Sequence, residues 1–163
     1  MSGEKQSKGY RERLSEFEKV LDEFIGNNGV GKVGYNPEIE IALNFTRSQI
    51  EQLNAEACGE YAILAANYSL YVQKQQNRNR VRKAWAERHL DHIVAQRYAN
   101  YKQEYDKYEV VKDRISAADS DAQVLTQIIL HSEARDQELD FLSRKIELLS
   151  NALSELQRTK RKL

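Results

Sequence analysis

One cysteine, one proline and one tryptophan occur among 163 residues, and no net charge remains once 25 basic side chains are set against 25 acidic ones. Each shortage closes a class. A lone thiol, Cys58, can form no internal disulfide, so nothing calls for an oxidising compartment and a cytoplasmic setting is expected. No apolar run reaches the about 20 residues of a spanning helix, and the Lys-, Glu- and Ser-bearing start lacks the apolar stretch of a secretory signal. Neither membrane insertion nor export is expected. Below roughly 200 residues a chain rarely holds two ordinary domains, which argues against a multidomain enzyme. Of seven glycines, only Gly59 lies beyond residue 40. Long uninterrupted helices are therefore expected over the last two-thirds of the chain, and the predicted class is all-α.

The zero total hides a gradient. Residues 1–54 carry net −2, residues 55–115 net +3 and residues 116–163 net −1. Between Gln73 and Arg88 stand six cations, Lys74, Arg78, Arg80, Arg82, Lys83 and Arg88, against Glu87 alone. Local fields of this kind decide contact with a polyanion even in a neutral protein.

The first 54 residues read as a separate N-terminal segment of helix, glycine-rich loop and strand. Leu14, Phe17, Leu21 and Phe24 step by three and four, which predicts a helix from about Tyr10 to Ile25 that ends at Gly26. After Asn36-Pro37, the stretch from Glu38 to Phe45 alternates polar and apolar, the pattern of a strand with one face buried. Such a strand needs a partner, either the segment Val30 to Tyr35 or the same strand of another copy. Thr46 and Gln49 have the spacing of a capping box, and Asn54 suits the N-cap of a long helix.

Residues 55–163 read as a long-helix, coiled-coil and oligomerisation region that also carries the candidate DNA-binding surface. A first helix is expected over roughly 55 to 116, with Asn77-Arg78-Asn79, poor in helix propensity, the place for a bend. A second begins near Ala118-Asp119-Ser120-Asp121, with Ser120 and Gln123 spaced as a cap, and runs to about Thr159. A tight hairpin and a kink both fit that junction. Leu125, Ile128, Ser132, Arg135, Leu139, Leu142, Ile146, Leu149, Leu153, Leu156, Lys160 and Leu163 alternate steps of three and four, a heptad seam. The residues assigned to oligomerisation are Leu139, Leu142, Ile146, Leu149, Leu153 and Leu156. The positions beside the seam are small or polar, which favours a multi-helix bundle or a ring of copies over a two-stranded zipper, although the chain's own first long helix would fill the same seam.

On the first long helix, Tyr61, Leu64, Tyr68, Val72, Leu90, Ile93, Arg97, Tyr101, Tyr105, Tyr108 and Ile115 form one stripe, read as the packing side. Off that stripe, Tyr71, Lys74, Arg78, Trp85, His89 and His92 recur at helical steps. Lys and Arg neutralise phosphates and release counterions, while Trp and Tyr offer flat surfaces on which exposed bases stack without sequence preference. The candidate nucleic-acid contacts are Lys74, Arg78, Arg82, Lys83 and Arg88 for phosphates and Tyr71 with Trp85 for stacking. Arg158, Lys160, Arg161 and Lys162 form a second basic group. The alternative is a solvated basic face with Trp85 packed inside.

Catalytic signals are weak. Gly26 to Lys32 has the spacing of a phosphate-binding GxxxxGK loop, but Val33 replaces the Ser or Thr that would hold magnesium, and a helix precedes it where a strand is required. His89 and His92 lack a third metal ligand, and Cys58 sits beside Tyr61 and Ala62 as a packed thiol. No catalytic residues, cofactor or metal are expected.

Glu56-Ala57-Cys58, Leu64-Ala65-Ala66-Asn67-Tyr68, Gln76-Asn77-Arg78, Trp85-Ala86-Glu87, Tyr101, Tyr105-Asp106-Lys107-Tyr108-Glu109, Ala118-Asp119-Ser120-Asp121, Leu139-Asp140 and Leu142-Ser143 together resemble the UvsY-type recombination mediators of tailed phages. The likeness covers about residues 56 to 160. It implies a ring-forming homo-oligomer that binds single-stranded DNA, engages a single-strand-binding protein and loads a recombinase in DNA recombination and repair, inside an infected bacterial host. The competing expectation is a scaffold, chaperone or adaptor that joins protein partners only.

Overall fold

The computed structural model describes residues 9–27 and 34–162. Among them are six helices and no strand: α1 (Tyr10–Asn27), α2 (Pro37–Ala42), α3 (Arg47–Gln52), α4 (Ala55–Tyr101), α5 (Tyr108–Ala118) and α6 (Ser120–Lys160). The chain is all-α, and no described helix is long and apolar enough to cross a membrane. Most of the GxxxxGK match and of the expected strand partner 30–35 lies outside the described residues, as does Leu163 at the end of the seam.

The expected strand over 38–45 is replaced by α2. Asn36 has an extended backbone and its side chain accepts from the Glu38 N–H at 2.9 Å, Pro37 occupies the first helical position, and Glu38 and Glu40 lie in the first turn. Those are the start signals of a helix, and they outweigh a short alternation. Ile39 and Ala42 are buried and Leu43 half-buried, whereas Ile41 is exposed. The apolar residues thus use the spacing i, i+3, i+4. The Thr46–Gln49 capping box forms in both directions at the start of α3, and the Asn54 side chain accepts from the Ala57 N–H at 2.7 Å at the start of α4.

The long helix expected over 55–116 is interrupted, at a different place from the one predicted. α4 passes through Asn77-Arg78-Asn79 without a break. Asn79 is buried and its amide donates to the Ser132 carbonyl at 2.6 Å, so a tertiary hydrogen bond offsets its low propensity. The break falls at 102–107, where Tyr105 takes a positive φ of 68°. There Asp106 accepts from the Gln103 N–H at 2.9 Å and from Arg114 at 2.7 Å, and Arg114 also donates to the Tyr101 carbonyl. One side chain thereby satisfies the carbonyl at the end of α4. α5 and α6 are then separated by Asp119 alone, whose carboxylate accepts from the Ala122 N–H at 2.8 Å and pairs with Arg97 at 2.7 Å. The cap of α6 is Asp119, one residue before the expected Ser120.

The described residues form two compact units. One combines α1 with Asn79–Arg135, the other combines 34–78 with 136–162, so each draws on both sides of residue 54. In the first, Leu14 packs with Leu90, Val94, Val111, Ile115, Leu125 and Ile128. In the second, Ile39, Ala65, Tyr68, Val72 and Ile146 form one cluster, and Ala42, Cys58, Ala62, Leu149 and Leu153 another. Leu139, Leu142 and Leu156 join these clusters half-buried. The six seam residues assigned to oligomerisation therefore pack within one chain, against α2 and α4. Each fully buried aliphatic side chain is worth about 1.5–3 kcal/mol in removed water contact, which makes this seam a core.

Candidate nucleic-acid interface

The basic ridge of α4 is divided between the units. In the first unit Trp85 is half-buried, stacked on Phe17 at a ring distance of 6.0 Å and edge-on to His89 at 4.4 Å and to Tyr10 at 6.3 Å. It fastens α1 to α4, and Phe17 covers one of its faces. Burial, and then the nearby Arg13, lower the pKa of His89 from its ordinary value, while His92 hydrogen-bonds Gln96 at 3.0 Å. Arg82 pairs loosely with Glu18 at 3.6 Å, and Lys83 pairs with Glu133 at 2.9 Å and Glu87 at 3.6 Å. The Glu133 hydrogen bond raises the Lys83 pKa despite some desolvation. Arg88 stands exposed.

In the second unit Tyr71 stacks on the buried Tyr68 at 5.3 Å. Lys74 and Arg78 are half-buried. The C-terminal basic group divides sharply. Lys160 turns inward and donates to the carbonyls of Glu51, at 2.6 Å, and Leu53, which close the α3 turn. Arg158, Arg161 and Lys162 remain exposed, and no acidic residue lies between Leu156 and Lys162.

The two aromatics assigned to base stacking, Trp85 and Tyr71, are thus engaged in ring contacts within the chain, and Arg82, Lys83 and Lys160 hold partners inside it. Those partners, Glu18, Glu133 and the α3 carbonyls, are 50 or more residues away in sequence, beyond the reach of local spacing. The tyrosine stripe also needs correction at its end: Tyr105 is 93% exposed and Tyr108 47%. They sit at the interhelical turn, where Tyr98 stacks on Tyr108 at 5.8 Å and Lys102 lies 5.7 Å from the Tyr98 ring. Sequence periodicity carried the stripe through a turn it does not register. Comparison of the chain with protein-family models, curated proteins and solved structures returns no match.

Proposed function

We propose that this chain is a non-enzymatic protein that binds single-stranded DNA as a homo-oligomer and, as its resemblance to UvsY-type mediators implies, helps to load a recombinase onto strands coated by single-strand-binding protein. The observation that carries the reading is the end of α6. Three exposed cations, Arg158, Arg161 and Lys162, project there while the fourth, Lys160, anchors the turn beneath them. A group of this kind neutralises phosphates without reading bases, and repetition over several copies turns modest contacts into avid ones. Exposed Arg88 adds a cation in the first unit. Because the heptad seam is occupied within the chain, the reading moves the contact between copies to the outward face of α6, where Phe141 and Leu148 are 72% and 71% exposed.

That exposed pair also favours a second reading, an adaptor or scaffold that joins protein partners and ignores DNA. Fluorescence anisotropy with a labelled oligothymidylate separates the two. Replacing Arg158, Arg161 and Lys162 together by Ala should flatten the plot of log affinity against log salt by about 2, at about 0.7 per lost phosphate contact on a single strand. An unchanged slope would remove the DNA reading at this site.

A further inference from the structure

The first unit contains an open cleft of about 400 Å³ between α1, α4 and α6, at the lower end of the size range of small-molecule sites. Its floor is aliphatic, formed by Leu14, Val124 and Ile128. Its walls are basic and polar: Arg11 from α1, Arg82 from α4 and His131 from α6, with Glu18 as the only acid. Ser15 and Gln127 add neutral groups able to donate hydrogen bonds.

The guanidinium of Arg82 is incompletely satisfied. Its Nε is buried and donates to nothing, because the Glu18 oxygen paired with it stands at 3.6 Å, outside hydrogen-bond range. The Arg82 side chain is 34% exposed and its one ion pair, with Glu18, is long, so the guanidinium remains open to an anion entering the cleft. Two guanidinium groups against the single carboxylate of Glu18 leave the lining of the cleft with an excess of positive charge, which favours an anionic ligand. Among the residues lining the cleft, the only flat ring is the imidazole of His131, so a nucleic-acid base finds no broad surface to stack on. The aliphatic floor accepts a branched or linear apolar group instead.

We infer that this cleft is a binding site for a carboxylate with an adjacent apolar side chain, with Arg82 and Arg11 on the carboxylate and Leu14, Val124 and Ile128 beneath the apolar part. Such a ligand reaches the cleft either as a small free acid or as the carboxyl end of a peptide that finishes in an apolar residue. The site draws on none of the three cations proposed for phosphate contact at the end of α6, and gives Arg82 a role other than contact with DNA.

The test is a titration of the full-length, isotope-labelled protein with N-acetyl-leucine, read by NMR at the Arg82 Nε–H resonance. The inference predicts a saturable downfield shift with a dissociation constant on the order of 1 mM, the range for a ligand this small. N-acetyl-leucinamide, which lacks the charge, should give no such shift, and Arg11→Gln, an exposed change that leaves the core alone, should weaken binding severalfold. A pentapeptide ending in a free leucine carboxylate binding more tightly than N-acetyl-leucine would assign the source to a peptide, and equal or weaker binding would assign it to a free acid; both support the site. The inference is overturned if N-acetyl-leucine produces no saturable shift, if the amide binds equally well, or if inorganic phosphate or an oligothymidylate binds the cleft more tightly.

Discussion

The side-chain amide of Asn79 donates to the carbonyl of Ser132 at 2.6 Å, while the hydroxyl of the same Ser132 is buried without a hydrogen-bond partner. One residue thus joins α4 to α6 through its backbone and carries an unused polar group on its side chain. The two substitutions should separate these roles. Asn79→Ala removes a buried donor and its packing and should lower stability by about 1–3 kcal/mol in urea unfolding, whereas Ser132→Ala should be neutral or stabilising by up to about 1 kcal/mol. Equal losses in the two variants would contradict this geometry.

Lys160 belongs to the fold more than to the basic surface. Its ammonium closes the α3 turn on the carbonyls of Glu51 and Leu53. Lys160→Met keeps the apolar stem and removes the donors, so it should cost about 1–2 kcal/mol of stability and leave the salt dependence of strand binding unchanged. A variant of native stability with a flatter salt slope would place Lys160 on the DNA instead.

Tyr105 holds a left-handed backbone conformation, φ 68°, with its side chain 93% exposed. A bulky residue pays for that conformation while gaining little from burial. Tyr105→Gly should therefore raise the midpoint of thermal unfolding, by an amount equivalent to about 1 kcal/mol, and should preserve the break between α4 and α5. A drop in the midpoint would mean that the exposed ring makes a contact that matters.

The same turn has a defined pH response. Arg114, and then the Gln103 N–H, hold the Asp106 carboxyl below its ordinary value of 3.8. A depressed carboxylate pKa contributes stability above the unfolded value, and that contribution is lost as pH falls from about 4 through the folded value. Asp106→Asn should accordingly show a smaller loss of thermal midpoint between pH 6 and pH 3 than the parent chain. Identical losses would remove Asp106 from the account of the turn.

The parts of the fold legible in the sequence are those whose partners lie within one turn of each other. Thr46 with Gln49, and Asn54 ahead of α4, announce helix starts because donor and acceptor are three residues apart. The α6 pattern is equally plain, since the seam runs from Leu125 to Lys160 along one helix of 41 residues. The stretch from Glu38 to Phe45 misleads because Ile39, Ile41 and Leu43 fit a period of two while Ile39, Ala42 and Leu43 fit a period of 3.6, and only the Asn36-Pro37 start decides between them. The break at 102–107 depends on Arg114 returning to Asp106 and to the end of α4. The candidate site suffers most from this distance effect. Trp85, Arg82 and Lys83 look available along α4, yet Phe17, Glu18 and Glu133 on other helices occupy them. Arg158, Arg161 and Lys162 stay exposed at the C-terminal end of the described residues.

The most direct test measures particle mass in solution together with anisotropy of labelled single- and double-stranded oligonucleotides, at salt concentrations of about 50 mM and about 200 mM. The account predicts a particle of several chains that binds the single strand and loses roughly 300-fold in affinity at the higher salt, as about six neutralised phosphates require. A monomer at all workable concentrations that leaves both oligonucleotides unbound would contradict it.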